Sequence, residues 1–191
     1  MVCFDETPKQ LIAEVRAPLP LGPGQTERYD YEYKRNGTRN LFVFFEPSQG
    51  WRHVAITARR TGPDFARQMK WLVDERHPEA DVIRVVLDNL NTHRAAALYE
   101  TFDPAEARRI LKHVEFHYTP KHGSWLNMAE MELSVLDRQC LDRRMGDEPT
   151  LAHEVTALEV ERNIAHATVN WRFNLDVART KLKQLYPSKL N

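Results

Sequence analysis

Three acidic side chains stand where carboxylates could act together on a cation. Asp5 follows the apolar residues 2–4, Asp88 ends the apolar run of residues 82–87, and Glu130 opens a predicted helix. Carboxylates that share a site repel each other, so such a group is costly without a cation. Mg²⁺ prefers oxygen ligands and keeps open positions for water and phosphate. A cluster of these three acids would therefore indicate metal-dependent phosphoryl chemistry.

Two of these acids, Asp88 and Glu130, also have a purely structural interpretation. In "VIRVVLDNLNTH", Asp88 and Asn89 could simply end a strand, because Asp and Asn readily bond their own backbone. Ligands of α/β sheets, however, gather beyond the carboxyl ends of strands. In "NMAE", Asn127 and Glu130 stand at the spacing of an N-cap and its capping-box partner. Spacing alone leaves both interpretations open at both acids.

The apolar pattern predicts the strands that would position these acids. "VCFDE" indicates a short strand that its own acids close, and residues 82–87 indicate a buried one. "LFVFF" and "WRHVAIT" flank "EPSQG" and predict a hairpin. Asn36-Gly37 is a strong hairpin-turn signal and predicts another hairpin just before it. "VEFHYTP" indicates one more short strand.

Helical spacing and capping signals follow the early strands. Helices are predicted over residues 63–77, 103–113, from about 127 past 140, from 150 onward, and from 174 to about 186. Three early strands linked by hairpins, then alternating strands and helices, predict an α/β fold of the ribonuclease H-like type. This is a mixed sheet flanked by helices. Its first and fourth strands are neighbours, which would bring Asp5 next to Asp88.

Composition limits the class of protein. A chain of 191 residues suits one domain, and it holds no apolar run of the roughly 20 residues that span a bilayer. Cys3 and Cys140 are its only cysteines, which excludes a disulfide framework and a four-cysteine zinc site. We therefore expect a cytoplasmic protein without a membrane partner. The 27 basic residues balance 27 acidic ones, which argues against autonomous tight DNA binding.

Three segments in order resemble the catalytic core of DDE transposases, in particular the bacterial insertion-sequence branch of the mariner-like superfamily. They are "VCFDE", "VVLDNLNTH" and "FHYTPKHGSWLNMAEMELSVL". In that family the first acid lies in a hydrophobic-Asp-Glu strand, which is Asp5 here. The second lies in an Asp-Asn-x-x-x-His motif, matched by Asp88, Asn89 and His93. The third follows the Asn of a Thr-Pro-x-His-x-Ser-Trp-Leu-Asn segment by three residues, which is Glu130.

The resemblance implies that Asp5, Asp88 and Glu130 are catalytic and hold Mg²⁺, with Mn²⁺ as a substitute and two ions in the site. The implied reaction is cleavage of DNA at transposon ends and strand transfer to target DNA, with a homodimer as a possible assembly. Family members carry helix-turn-helix modules ahead of the first acid, and only four residues precede Asp5. We therefore expect residues 1–191 to form a single catalytic domain without that module. The alternatives are a nuclease of the same fold that only hydrolyses, and a remnant that binds DNA or a partner without catalysis.

Four further side chains are candidates for DNA contact or support of the site: Asn89, His93, His122 and Trp125. Either histidine could orient a ligand or simply be a surface or hydrogen-bonded residue. Trp125 could stack on a splayed base or pack in the core. Glu6 is expected to be a structural neighbour of the site. Glu130 and Glu132 lie about 200° apart around a helix, so both cannot face one site. Glu130 is favoured as the third acid because it follows Asn127 by three residues, as the resembling motif requires, and lies in the first turn of the helix.

Overall fold

The computed structural model describes residues 1–121, 123–171, 173 and 175–181. Within them lie five strands: β1 (Val2–Glu14), β2 (Tyr33–Glu46), β3 (Trp51–Thr57), β4 (Ile83–Leu87) and β5 (Val114–Tyr118). The same residues form six α-helices: α1 (Gly62–Trp71), α2 (Ala95–Thr101), α3 (Pro104–His113), α4 (Ala129–Leu136), α5 (Glu148–Ile164) and α6 (Leu175–Lys181). Wider helical turns extend α1 over Leu72–Arg76 and α4 over Asp137–Leu141. No helix in these residues is long and apolar enough to cross a membrane.

The five strands form one mixed sheet in the order β3-β2-β1-β4-β5. The strand β2 is antiparallel to both of its neighbours, β1 and β3, whereas β4 pairs in parallel with β1 and β5 pairs in parallel with β4. This confirms the predicted ribonuclease H-like arrangement, including the pairing of the first and fourth strands. Cys3 of β1 is in register with Val86 of β4. Asp5, inside β1, and Asp88, just after the end of β4, each lie two residues beyond this pair.

The structure corrects the predicted first hairpin. No turn forms at Asn36-Gly37; both lie inside β2, and β1 continues to Glu14 beside it. Gly37 has a φ of 88°, and the register of the β1–β2 pair shifts opposite this segment. A glycine with positive φ suits a bulge as well as a turn, which explains why the predicted hairpin at Asn36-Gly37 is wrong. The acids likewise do not end β1, because β2 continues to pair with it beyond Asp5.

Most other predicted elements are confirmed. The second hairpin joins β2 to β3, and Asp103 caps α3 by accepting from the backbone N–H of Ala105 and Glu106. The helix α2 was not predicted, because its seven residues are too few to show clear periodicity. The last predicted helix is observed over Leu175–Lys181, and its remainder lies outside the described residues.

Apolar side chains cover both faces of the sheet. On one face, Phe4, Phe42 and Phe44 pack against buried side chains of α1, α2 and α3, including Phe65, Leu98 and Ile110. On the other face, Leu41 and Val43 pack against α4 and α5. Because strand residues alternate between faces, Asp5 points to the α4 side and Glu6 to the α1 side.

A buried ion network fastens the edge strand β3 to α4 and α5. Glu132 lies between two guanidinium groups, 3.1 Å from Nε of Arg52 and 3.0 Å from Nη2 of Arg162. Asn163 and Glu159 of α5 accept from two outward-pointing backbone N–H groups of β3 at 2.8 and 2.9 Å. Glu132 therefore has a structural role.

Replacing Glu132 by Gln should destabilise the protein by about 3 kcal/mol, the lower end of the range for breaking a buried ion pair. The buried guanidinium group of Arg52 and the partly buried one of Arg162 would lose their shared anion. Urea unfolding followed by circular dichroism measures the change. The control is Glu161→Gln, an exposed acid on α5, which should change stability by no more than about 0.5 kcal/mol. Equal losses for the two variants would contradict the structural role of Glu132.

Candidate active site

The three predicted acids lie near one another where β1, β4 and α4 meet. Asp5 is nearly buried at 9% exposure, and Asp88 follows the carboxyl end of β4. Glu130 is exposed on the first turn of α4, whose Ala129 packs against Cys3 of β1. Within the described residues, no three His, Cys, Asp or Glu side chains converge on one point as metal ligands. The acids are therefore close neighbours but not a closed ligand cage.

Burial and the neighbouring carboxylates raise the pKa of Asp5. Burial raises the pKa of Asp5, the backbone N–H of Glu6 lowers it by donating to Oδ1 at 2.8 Å, and the charges of Glu130 and Asp88 raise it again. The resulting pKa is about 7 against an ordinary value of 3.8. Asp5 thus lies in a place where added negative charge is unfavourable and a nearby cation is favourable.

Asn127 connects the start of α4 to β1. Its buried side-chain amide donates to the carbonyl of Phe4 at 2.8 Å and, more weakly, to Oδ2 of Asp5 at 3.4 Å. Its side-chain oxygen accepts from the backbone N–H of Ala129 at 3.2 Å. The predicted capping box is not formed, because no cap contact involves the side chain of Glu130. Asn127 therefore sets the position of Glu130 relative to Asp5, and the carboxylate of Glu130 is left available.

His93 binds the second acid. The ring is 1% exposed, with Nδ1 2.7 Å from Oδ1 of Asp88 and Nε2 2.5 Å from Oε2 of Glu6. Burial lowers the pKa of His93, but the hydrogen bonds to Asp88 and Glu6 raise it to about 9. Two carboxylate acceptors require two N–H donors, so the ring is an imidazolium. Asp88 is thus bound to His93 and is more than a residue that ends a strand.

Comparison with known proteins gives the family. The family model described as DDE superfamily endonuclease matches residues 1–152 of this chain. The chain belongs to the DDE superfamily endonucleases. No curated protein matches it.

Two solved structures resemble this DDE endonuclease. One is the Mos1 transposase paired-end complex with the left transposon end, with 17% identity and a TM-score of 0.38, covering 86% of this chain and 54% of that one. The other is the Mos1 mariner paired-end complex with Mn, with 17% identity and a TM-score of 0.39, covering 89% of this chain and 56% of that one. The chain spans about half the length of these relatives.

Two open grooves of the endonuclease border the acids. One, of about 390 Å³, is lined by Asp5, Glu130, Lys9 and Asp137, among others. The second, of about 400 Å³, is lined by Asp88, Asn89 and Lys121, among others. The first groove thus contains two acids of the candidate site and the second contains one, and each groove also contains one lysine. Solvent and ligands can reach the acids from these grooves.

The other candidate residues from the sequence differ in their exposure and contacts. Asn89 is exposed beside Asp88. Trp125 is 40% exposed and packs edge to face on Phe173 at 4.9 Å, so it is not a core residue. His122 lies outside the described residues. The contact of Asn127 with β1 was not predicted, although the motif places Asn127 three residues before the third acid. Glu6 was expected to be a structural neighbour of the site, but its contact with His93 was not predicted.

The Asp5 carboxylate should make stability depend on pH. Its folded pKa of about 7 exceeds the ordinary 3.8, so its favourable contribution is complete below pH 3.8 and is lost as pH rises through 7. Asp5→Asn should therefore stabilise the endonuclease at pH 8, by about 1–4 kcal/mol at 1.36 kcal/mol per pKa unit. At pH 4.5 the gain should be smaller. Urea unfolding in EDTA measures both values.

The matched control is Asp137→Asn, an exposed acid in the same groove as Asp5. This variant should change stability by no more than about 0.5 kcal/mol at either pH. A stabilisation by Asp5→Asn that is the same at pH 4.5 and pH 8 would show that Asp5 does not carry the raised pKa.

Proposed function

We propose that this chain is the catalytic part of a transposase that cleaves DNA with Mg²⁺, or Mn²⁺ in its place, and transfers the cut strand to target DNA. The observation that carries the proposal is the parallel pairing of β1 with β4, which brings Asp5 of β1 near Asp88 at the end of β4, with Glu130 beside them on α4. Membership of the DDE superfamily endonucleases supports the nuclease part of the proposal.

The acids fit a divalent cation in donor type and charge. Asp88 uses Oδ1 for His93, and in the described part of the chain Oδ2 has no protein partner. Glu130 likewise has no side-chain hydrogen bond or ion pair to described residues. Carboxylate oxygens are preferred ligands of Mg²⁺, and a cation would offset the repulsion at Asp5. Since the three acids do not converge in this structure, shared binding requires the exposed Glu130 side chain to turn toward Asp5.

In the proposed mechanism, Asp5 and Asp88 would hold the cation from the sheet side, and Glu130 would complete the ligand set from α4. When bound, divalent metal would activate the nucleophile and stabilise the leaving oxygen of a phosphodiester. The nucleophile is water in the cleavage step and a DNA 3′ hydroxyl in the transfer step. His93 keeps Asp88 oriented, and the grooves beside the acids admit the DNA backbone.

Basic side chains at the grooves would contact phosphate. Lys121 lies in the groove with Asp88, and Lys9 lies in the groove with Asp5. Lysine contacts to phosphate give binding that is insensitive to base sequence and weakens with salt. The formal net charge of zero makes strong binding by this chain alone unexpected. The homodimer stays a prediction.

Nicking of supercoiled plasmid in Mg²⁺ or Mn²⁺ tests the proposal. Asp88→Asn and Glu130→Gln should each lower the rate by about 100-fold or more, as expected for losing an electrostatic contribution to the transition state. Both substitutions keep the side-chain size and remove the charge. Asp137→Asn removes a carboxylate from the same groove and should stay within about threefold of wild type, because it is not a proposed ligand.

A labelled donor DNA with a free 3′ hydroxyl separates the alternatives. Donor joined to target supports strand transfer, whereas nicking without joining would mean a nuclease that only hydrolyses. A folded wild-type protein that neither nicks nor joins DNA with either metal would contradict the catalytic proposal. It would favour a protein that binds DNA or a partner without catalysis.

A further inference from the structure

We propose that Glu6 and His93 are positioning residues that hold the Asp88 carboxylate by one oxygen and so present its other oxygen to the cation. This inference rests on the proposed metal site. It extends that site by assigning a role to two buried side chains that are not proposed ligands.

Packing leaves the ring of His93 little freedom. Its centroid lies 5.4 Å from that of Phe4 and 5.0 Å from that of Phe65, inside the apolar layer between the sheet and α1. The hydroxyl of Tyr118 donates to the His93 carbonyl at 2.8 Å, which fixes the backbone as well. Contacts with two phenyl rings and the hydrogen bond at its backbone hold the imidazole ring with its Nδ1 directed toward Oδ1 of Asp88.

Glu6 fixes the other end of the ring. Its side chain is 3% exposed on the apolar face of β1, and its Oε2 lies 2.5 Å from Nε2 of His93. The guanidinium of Arg60, 3.8 Å from Oε1, is its other charged partner and is half exposed. A buried carboxylate–imidazolium pair is a poor source of stability compared with well-packed apolar residues. Such a pair is, however, suited to orienting a neighbouring group, which here is the Asp88 carboxylate.

The strand β1 therefore controls two acids at once. Asp5 and Glu6 are consecutive and point to opposite faces of the sheet. Asp5 enters the proposed site directly, whereas Glu6 reaches Asp88 through His93 on the other side. A shift of β1 relative to β4 would move both acids, and the hydrogen bonds of His93 oppose such a shift.

Mn²⁺ affinity, measured by isothermal titration calorimetry without DNA, tests the role of Glu6. The variants Glu6→Gln and Glu6→Ala both lose the charge, but only Gln offers an oxygen to the Nε2–H of His93. Glu6→Ala should weaken Mn²⁺ binding by about 10–100-fold, the usual effect of removing a group that orients a ligand, and Glu6→Gln by about threefold or less. In DNA nicking, Glu6→Ala should lower kcat and leave the KM for DNA unchanged.

Each result distinguishes positioning from other roles. Equal weakening by Gln and Ala would mean that only the charge of Glu6 matters, which contradicts positioning. Unchanged Mn²⁺ affinity in folded Glu6→Ala would mean a purely structural role, which also contradicts it. If the wild-type protein binds no Mn²⁺, the proposed metal site itself is wrong and the inference fails with it.

A second pair of variants covers the case in which Glu6→Ala does not fold. In His93→Asn the amide nitrogen lies near the position of Nδ1, so it can still donate to Asp88. In His93→Gln the amide nitrogen lies near the position of Nε2 and can reach only Glu6. We expect His93→Asn to bind Mn²⁺ more tightly than His93→Gln. The reverse order would overturn the proposal.

Discussion

The parallel pairing of β1 with β4 is the contact on which the candidate site depends. Its register, Cys3 beside Val86, places Asp5 and Asp88 side by side although 82 residues of chain separate them. The antiparallel pairing with β2 and the helices on both faces hold β1 in that register. The helix α4 then adds Glu130, because Asn127 ties the start of that helix to the backbone of β1.

The acids with structural roles form ion pairs, whereas Asp5 and Glu130 of the candidate site form none with described residues. Glu132 has a guanidinium group at each oxygen, and Glu106 and Asp74 are paired with Lys70 and Arg109. Glu130, two residues from Glu132, has no such partner among the described residues, and Asp5 is surrounded by other carboxylates. Asp5 and Glu130 therefore lack, among the described residues, the cationic partners that the structural acids have. Their surroundings are suited to a divalent cation.

Local signals in the sequence were sufficient to predict most of the strands and helices. The Asn36-Gly37 signal failed because a short motif cannot report that β1 continues opposite it and converts the turn into a bulge. The partners of Glu132 and of His93 were also beyond reach, since Arg52 lies 80 residues from Glu132 and Glu6 lies 87 residues from His93. Such contacts depend on the packed fold. The family resemblance supplied the motif that contains His93, but the hydrogen bonds of its ring come from the structure.

The central claim is that Asp5, Asp88 and Glu130 form one metal site. Anomalous diffraction from crystals of this chain soaked in Mn²⁺ tests it most directly. We expect a Mn²⁺ peak about 2.0–2.2 Å from oxygens of Asp5 and Asp88, near the distance for small hard cations. Asp88 should bind through Oδ2, with Oδ1 still on His93, and Glu130 should be turned toward the ion. Density for Mn²⁺ that is absent from Asp5 and Asp88 in fully soaked crystals, or that lies instead at acids remote from them, would contradict the account.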